Sequence, residues 1–421
     1  MTTTSYYRIF IVYLAVFSLS LALSKSAANV VMTLTYLTAL ILIVLHQEYR
    51  RTVLSHINQP LVIPLLAYLA VAVIGIIYTE KLADGIGIAN KIAGLFLVYF
   101  MTSVVIDSVQ DPDEQAKLTD RLILIFIGGI LILDVIGLLT YLGFIADRKF
   151  SLPVYPMHVH HIWFSNFNAI GLYAAASFLL FDSKRNSPGR KALFAAFLPL
   201  SAFSILFSIS RTAWLGLIMT GLVLTFLYSE KKKVFFIALV TLSAACLMTY
   251  LFIPIVHDRV NIGITDILQY NKGNSETSLG LRFLMWKASF SMFLSNPIFG
   301  IGTGDYVVTI RRFVESGGYP ASLLQFNQPH NMYLFALATN GLFGLAALLY
   351  LFCSIFSRTL PKRNSSLRQR SLFFLATAVA VHYLVAGMTD SLFNIFILRL
   401  SFAFIMGICI RSLSVHTAGS R

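Results

Sequence analysis

The chain reads as an all-α polytopic membrane protein. Of its 421 residues, 57% are hydrophobic and only 12% are charged. The mean hydropathy is +0.77. The apolar residues gather in long runs separated by short basic clusters. A soluble domain carries about 45–50% apolar and about 25% charged residues, so composition alone excludes that class. The net charge of +14 lies between the runs, where it orients a protein in a membrane. No aromatic–basic platform or nucleic-acid module accompanies it, so nucleic acid is not an expected partner.

A helix crosses a bilayer with about 20 mainly apolar residues, and about twelve stretches meet that criterion. The first, 8–24, imitates a signal peptide because small residues follow its apolar core. Its run is long, however, and Lys25 follows at once, so a retained span is expected. The others lie near 28–46, 61–78, 85–106, 121–145, 163–181, 191–210, 212–228, 233–253, 331–357, 371–389 and 391–411. Alternate connections carry Arg50 and Arg51, then Lys184 to Lys191, then Lys231 to Lys233, then Arg358 to Arg370. By the positive-inside rule these are cytoplasmic, and both termini lie with them. The opposite set, 79–84, 146–162, 210–212, 254–330 and 389–391, is external. Cys246, Cys353 and Cys409 all fall in apolar runs. They have neither disulfide nor metal-ligand spacing and are expected as buried small residues.

The whole chain, 1–421, reads as a single integral membrane domain, and 254–330 is its long external loop between spans nine and ten. That loop opens polar, HDRVNIGITDILQYNKGNSETSLG. An amphipathic stretch, LRFLMWKASFSMFL, predicts a helix at the interface. NPIFGIGTGDY then forces a turn through Pro297 and three glycines, and a second short helix is expected near 305–316. GTGDY lacks the Lys-Ser/Thr ending of a phosphate-binding loop. The acidic run DPDEQ at 111–115 falls on the cytoplasmic side and reads as a solvated loop.

Ionisable side chains in such apolar surroundings mark functional sites. Arg211, in SISRTAWLG, stands at the external junction of two spans. It either reaches the headgroups or forks onto a lipid diphosphate. Arg282 opens the amphipathic stretch and offers a second cation. His330, in QPHNMYLFALATNGLFGL, precedes a span and is either a structural hydrogen bonder or a proton acceptor. Asn331 beside it is placed to orient a sugar hydroxyl. Lys91 sits about two turns inside its span and either snorkels or reaches a phosphate. Asp390 would orient a histidine or pair with an arginine. His158, His160 and His161 form HVHH; without accompanying Cys or carboxylate ligands, acceptor or headgroup binding through His161 is the better expectation than a metal. Asp134 and Arg399 lie deeper in their spans, as structural partners. No paired-carboxylate or serine-nucleophile site is evident.

At these residues the chain resembles the O-antigen ligase and polymerase superfamily. The resemblance runs through SISRTAWLG, LRFLMWKASFSMFLSNPIFGIGTGDY and QPHNMYLFALATNGLFGL, roughly 150 residues. It implies a GT-C-like glycosyltransferase in the inner membrane of a Gram-negative bacterium, with its site at the periplasmic face and the 254–330 loop forming part of it. The implied reaction moves a glycan from undecaprenyl diphosphate to a sugar hydroxyl of lipid A-core. Arg211 and Arg282 would hold the diphosphate, and His330 would accept the proton. Inverting transfer would need no metal and no cofactor. Glycan polymerisation and protein O-oligosaccharyl transfer are the alternatives within the superfamily. A lipid-linked glycan flippase is the rival from another class. Its internal repeats are not evident, and the ionisable candidates gather at one face.

Overall fold

The computed structural model describes residues 3–145, 159–182, 187–229, 231–360 and 365–418, and their secondary structure is helical throughout. α1 (Thr3–Leu23) and α2 (Lys25–Leu45) form a hairpin in which the Ser24 hydroxyl accepts the Ala27 N–H and caps α2. The short amphipathic α3 (Gln47–Ser55) turns by 85° into α4 (Val62–Ile76). α5 (Leu82–Asp107), α6 (Pro112–Tyr141), α7 (His161–Phe181), α8 (Pro188–Phe207), α9 (Arg211–Tyr228) and α10 (Lys232–Phe252) then run back and forth. α11 (Pro254–Asn271), α12 (Ser278–Ser295) and α13 (Tyr306–Glu315) build the long connection before α14 (Met332–Thr359), α15 (Leu367–Ala386) and α16 (Phe396–Ala418).

Among the described residues, ten helices are long and apolar enough to cross a membrane, or eleven with the bent pair counted as one span. The expected twelve falls short at two places. Among the described residues the apolar part of α1 is Tyr7–Leu23, and α4 has 15 residues, about 22 Å of helical rise against a core about 30 Å thick. α15 and α16 lie deepest in the bundle, with most of their residues buried, whereas α10 has no buried residue. At the end away from the long connection, Asp107 binds His56 and Arg411, and Asp120 binds Arg190 and Arg368, stapling α5 to α16 and α6 to α15.

Three local expectations change. The polar start of the long connection is helical: Pro254 stands at the first turn of α11, and Val256, Val260, Gly263 and Ile267 repeat at helical spacing. The acidic run at 111–115 is the start of α6, not a loop. Asp111 accepts the N–H groups of Asp113 and Glu114, Pro112 follows it, and two carboxylates sit where the helix dipole favours negative charge. Of the cysteines, only Cys409 is buried; Cys246 and Cys353 lie on outward faces of apolar helices.

The glycine-rich turn after α12 is a rivet. α14 is broken at Gly341 (φ 62°). The turn supplies hydrogen bonds at that break: Ile301 N–H to the Ala338 carbonyl (2.9 Å), Gly302 N–H to Thr339 (3.1 Å), and Leu342 N–H back to the Pro297 carbonyl (2.8 Å). A Cβ on Gly341 would stand 2.4 Å from the Ile298 carbonyl oxygen, so the two backbones meet only through glycine. On its other side the turn grips the α4–α5 connection. Asp305, 3% exposed, accepts the Thr79 hydroxyl (2.8 Å) and the N–H groups of Glu80 (2.9 Å) and Lys81 (2.9 Å).

Candidate active site

The segment entering α14 is tied to the α15–α16 connection. Asn331 caps α14 by accepting the N–H groups of Tyr333 and Leu334, both at 3.0 Å, while its amide donates to the Met388 carbonyl at 3.0 Å. Met332 N–H donates to the Gly387 carbonyl at 2.7 Å. Between these anchors His330 takes φ 49°, a left-handed conformation uncommon outside glycine. Its N–H donates to the Gln328 side-chain carbonyl at 2.8 Å.

That backbone brings His330 Nδ1 to 3.1 Å from Asp390 Oδ1. Asp390 is 2% exposed and also accepts the Ser391 N–H (2.8 Å) and the Gln328 amide (3.3 Å). Burial pushes the Asp390 carboxyl up. The hydrogen bond and charge of His330, with the Arg282 charge, outweigh burial and hold it below its ordinary value. When the ring is neutral, the ionised Asp390 at Nδ1, where the Gln328 amide nitrogen also stands at 3.1 Å, favours the tautomer with its proton there and leaves the Nε2 lone pair free to accept another.

Three guanidinium groups stand across from His330. Arg211 opens α9 behind Ser210, whose hydroxyl caps that helix. Its Nη2 is 3.9 Å from Asp266, and its buried Nη1 has no hydrogen-bond partner among the described residues. Gly263 of α11 makes room for it, since a Cβ there would meet Arg211 Nη1 at 2.5 Å. Arg259 Nε donates to the Ile209 carbonyl at 3.2 Å. Arg282, on α12, donates to the Thr389 carbonyl at 2.7 Å. Burial pushes the Arg282 guanidinium down; Asp390 opposes that and Arg211 adds to it. Burial likewise lowers Arg259, with Arg211 and Arg282 lowering it further and Asp266 opposing. The three cations therefore feel one another, with two carboxylates to answer them. Arginine stays protonated in such surroundings, so the cluster carries positive charge that an anion would balance.

Two cavities meet at this point. One, about 270 Å³, is lined by Arg211, Arg259, Arg282 and His161. The other, about 540 Å³, is lined by Lys91, Asp84, Trp163, Tyr306, Gln328 and Asp390. His160, Ile162, Phe326 and His330 line both. His161 Nδ1 lies 2.9 Å from the Ser208 carbonyl and donates to it. His160 caps α7 by accepting the Ile162 N–H. Burial holds His160 below its ordinary value, Asp390 opposing and His330 adding. His158 lies outside the described residues. Among the described residues, no group of three or more His, Cys, Asp or Glu side chains is arranged to hold a metal ion.

Of the residues singled out in the sequence, Arg211, Arg282, His330, Lys91, Asp390 and His161 line one or both cavities. Asn331 is adjacent, but its carboxamide is occupied in capping α14. Asp134 and Arg399 are away from both cavities' walls. Asp134 is fully buried in α6, and Arg399 Nη1 donates to the Phe393 carbonyl at 3.1 Å. Sequence reading missed Arg259 and Asp266. Their separation of seven residues puts them on one face of α11, a signal hidden once the stretch was read as a polar loop.

Residues 195–349 match the O-antigen ligase family. An uncharacterised protein of Haemophilus influenzae is 35% identical over 146 residues, covering 33% of this chain and 36% of that protein. An O-antigen ligase of Escherichia coli is 26% identical over 139 residues, covering 32% of this chain and 33% of the relative. Each alignment thus spans about a third of the relative's length. Arg211, Arg259, Arg282 and His330 fall inside the family match, whereas Lys91, His161 and Asp390 come from outside it. Through this segment the chain is similar to the O-antigen ligase family.

Proposed function

We propose that the protein transfers a glycan from undecaprenyl diphosphate to a sugar hydroxyl of lipid A-core, at the periplasmic face of a Gram-negative inner membrane. The observation that carries the reading is the placement of His330. Its ring stands where the two cavities join, Nδ1 is held by a buried carboxylate, and the arginine cluster forms the wall of one cavity. The arginine side suits the donor diphosphate, because guanidinium forks onto phosphate oxygens. The larger cavity suits the acceptor sugar.

In this mechanism the acceptor hydroxyl oxygen forms a bond to the anomeric carbon. The bond from that carbon to the phosphate oxygen breaks, and its electron pair leaves with undecaprenyl diphosphate. His330 Nε2 takes the hydroxyl proton, and Asp390 stabilises the imidazolium that results. Arg211, Arg259 and Arg282 stabilise the charge that builds on the leaving diphosphate. A single displacement inverts the anomeric centre, and the arginines serve where other enzymes use a divalent cation.

The test is reconstitution with purified undecaprenyl-diphosphate glycan and lipid A-core. Glycan attached to core supports ligation. Glycan joined to a second donor molecule moves the assignment to polymerisation. Donor crossing the bilayer without covalent change overturns transfer altogether.

A further inference from the structure

A second cationic cluster includes Lys91, in the wall of the larger cavity. Lys25 is the first residue of α2, Lys91 lies in the cavity-side half of α5, and Arg399 is in the first turns of α16. Two of them address one ring. Lys25 Nζ is 5.6 Å from the Phe396 centroid, and the Arg399 guanidinium carbon is 5.9 Å from it. Lys91 feels the charges of both Arg399 and Lys25 and lines the 540 Å³ cavity beside Asn394 and Ile395.

The cluster is short of negative charge. None of the three cations forms an ion pair among the described residues. Asp84, exposed in the first turn of α5, is the carboxylate that bears on Lys91. Arg399 is 7% exposed and cannot reach water as a snorkelling arginine does. Its Nε is buried without a hydrogen-bond partner. A buried, unpaired cation is costly unless an anion completes it. Lys25 and Arg399 thus meet at one aromatic ring with Lys91 electrostatically coupled to both, and among the described residues Asp84 alone is a carboxylate that bears on Lys91.

We propose that Lys25, Lys91 and Arg399, around Phe396, form a binding site for the phosphate of a lipid headgroup, separate from the Arg211–Arg259–Arg282 site. The lysines supply point charges and the guanidinium a planar donor. The phosphate has two sources, the surrounding bilayer or a phosphorylated acceptor lipid entering the larger cavity. The site stands on the cations themselves, and only the acceptor as a source rests on the transfer reading.

The full-length chain in detergent is titrated by native mass spectrometry with phosphorylated lipid A, phosphatidylglycerol and diacylglycerol. The wild type should retain a phosphate-bearing lipid over diacylglycerol. Lys25→Gln and Lys91→Gln should each weaken that retention about 5-fold. Preference for lipid A names the acceptor as the source; equal binding, or preference for phosphatidylglycerol, names the bilayer. Equal retention of all three lipids by the wild type overturns the site, as does unchanged binding in the double lysine variant. Arg399→Lys, which keeps the buried charge, should still prefer a phosphate-bearing lipid to diacylglycerol. The measurement needs neither donor nor turnover. A failed binding test leaves glycan transfer standing, and failed transfer leaves the phosphate site standing.

Discussion

Replacing Asp390 by Asn isolates the role of the carboxylate behind His330. The substitution keeps the shape of a residue that is 2% exposed and keeps an oxygen to accept the Ser391 N–H now held at 2.8 Å. It removes the charge facing His330 Nδ1 at 3.1 Å. Two losses follow. A hydrogen bond to a charged group contributes about 1.5–3 kcal/mol, so weaker stabilisation of the imidazolium alone slows transfer about 10- to 150-fold. If the Asn side chain instead turns its amide nitrogen to Nδ1, giving up the Ser391 N–H that shares the same Oδ1, it donates there, moves the ring proton to Nε2 and blocks proton acceptance at the cavity. Where a carboxylate behind a catalytic histidine is replaced this way, the loss reaches about 10⁴-fold. The expected fall in transfer by the reconstituted Asp390→Asn enzyme is therefore about 10²–10⁴-fold, with little change in thermal unfolding. A variant within about 5-fold of wild type, with its fold intact, would refute the argument that Asp390 sets the histidine tautomer.

Arg259→Ala should lower the rate of reconstituted transfer about 10- to 100-fold, as loss of one charge-assisted contact predicts, and Arg259→Lys should recover part of it; unchanged kinetics would remove Arg259 from the diphosphate site. Asp305→Ala strands the Thr79 hydroxyl and the Glu80 and Lys81 N–H groups, so the detergent-solubilised chain should lose about 2–4 kcal/mol of stability, read as a lower melting temperature. Gly341→Ala forces a Cβ onto the Ile298 carbonyl at positive φ, and should cost about 1–3 kcal/mol in the same assay. His160 is held below its ordinary value by burial, so the folded state binds fewer protons there than the unfolded chain. Stability from this group is present above about pH 6.5 and is lost as the pH falls below it. The wild-type melting temperature should drop between pH 7 and 5, and His160→Gln should make that drop shallower, the rest coming from His161, which burial lowers to about 4.

The membrane class was legible because apolar length is a one-dimensional property. Long apolar runs needed no tertiary contact to be read. The site was legible where an ionisable residue interrupts apolar sequence, as Arg211 and Lys91 do, or borders it, as Arg282, His330 and Asp390 do. Arg259 and Asp266 were illegible for the opposite reason. In HDRVNIGITDILQYN polar residues are common, and no single one stands out against its background. The three-dimensional rivet at Gly341 was also out of reach. A glycine within an apolar helix predicts weakness, but not which distant backbone will fill the break. Cys246 and Cys353 were misplaced because an apolar run does not say which face points inward.

Among the described residues, Ile209 and His330 are the non-glycine residues with positive φ, and both line the arginine cavity. For a β-branched residue such as Ile209 that conformation is a genuine outlier, and such strain costs about 1–3 kcal/mol. What the turn at 208–210 achieves explains why it persists. The Ser208 carbonyl receives His161, the Ile209 carbonyl receives Arg259, and Ser210 caps the helix that starts with Arg211. Three side chains from α7, α9 and α11 are thus positioned by three consecutive residues. The left-handed residue at 330 does the same on the facing wall, setting the imidazole against Asp390. A relaxed chain at either turn would aim these groups differently. Strain located at the two turns that aim the ionisable groups, and not spread through the bundle, is what preorganisation for a charged, reacting ligand requires.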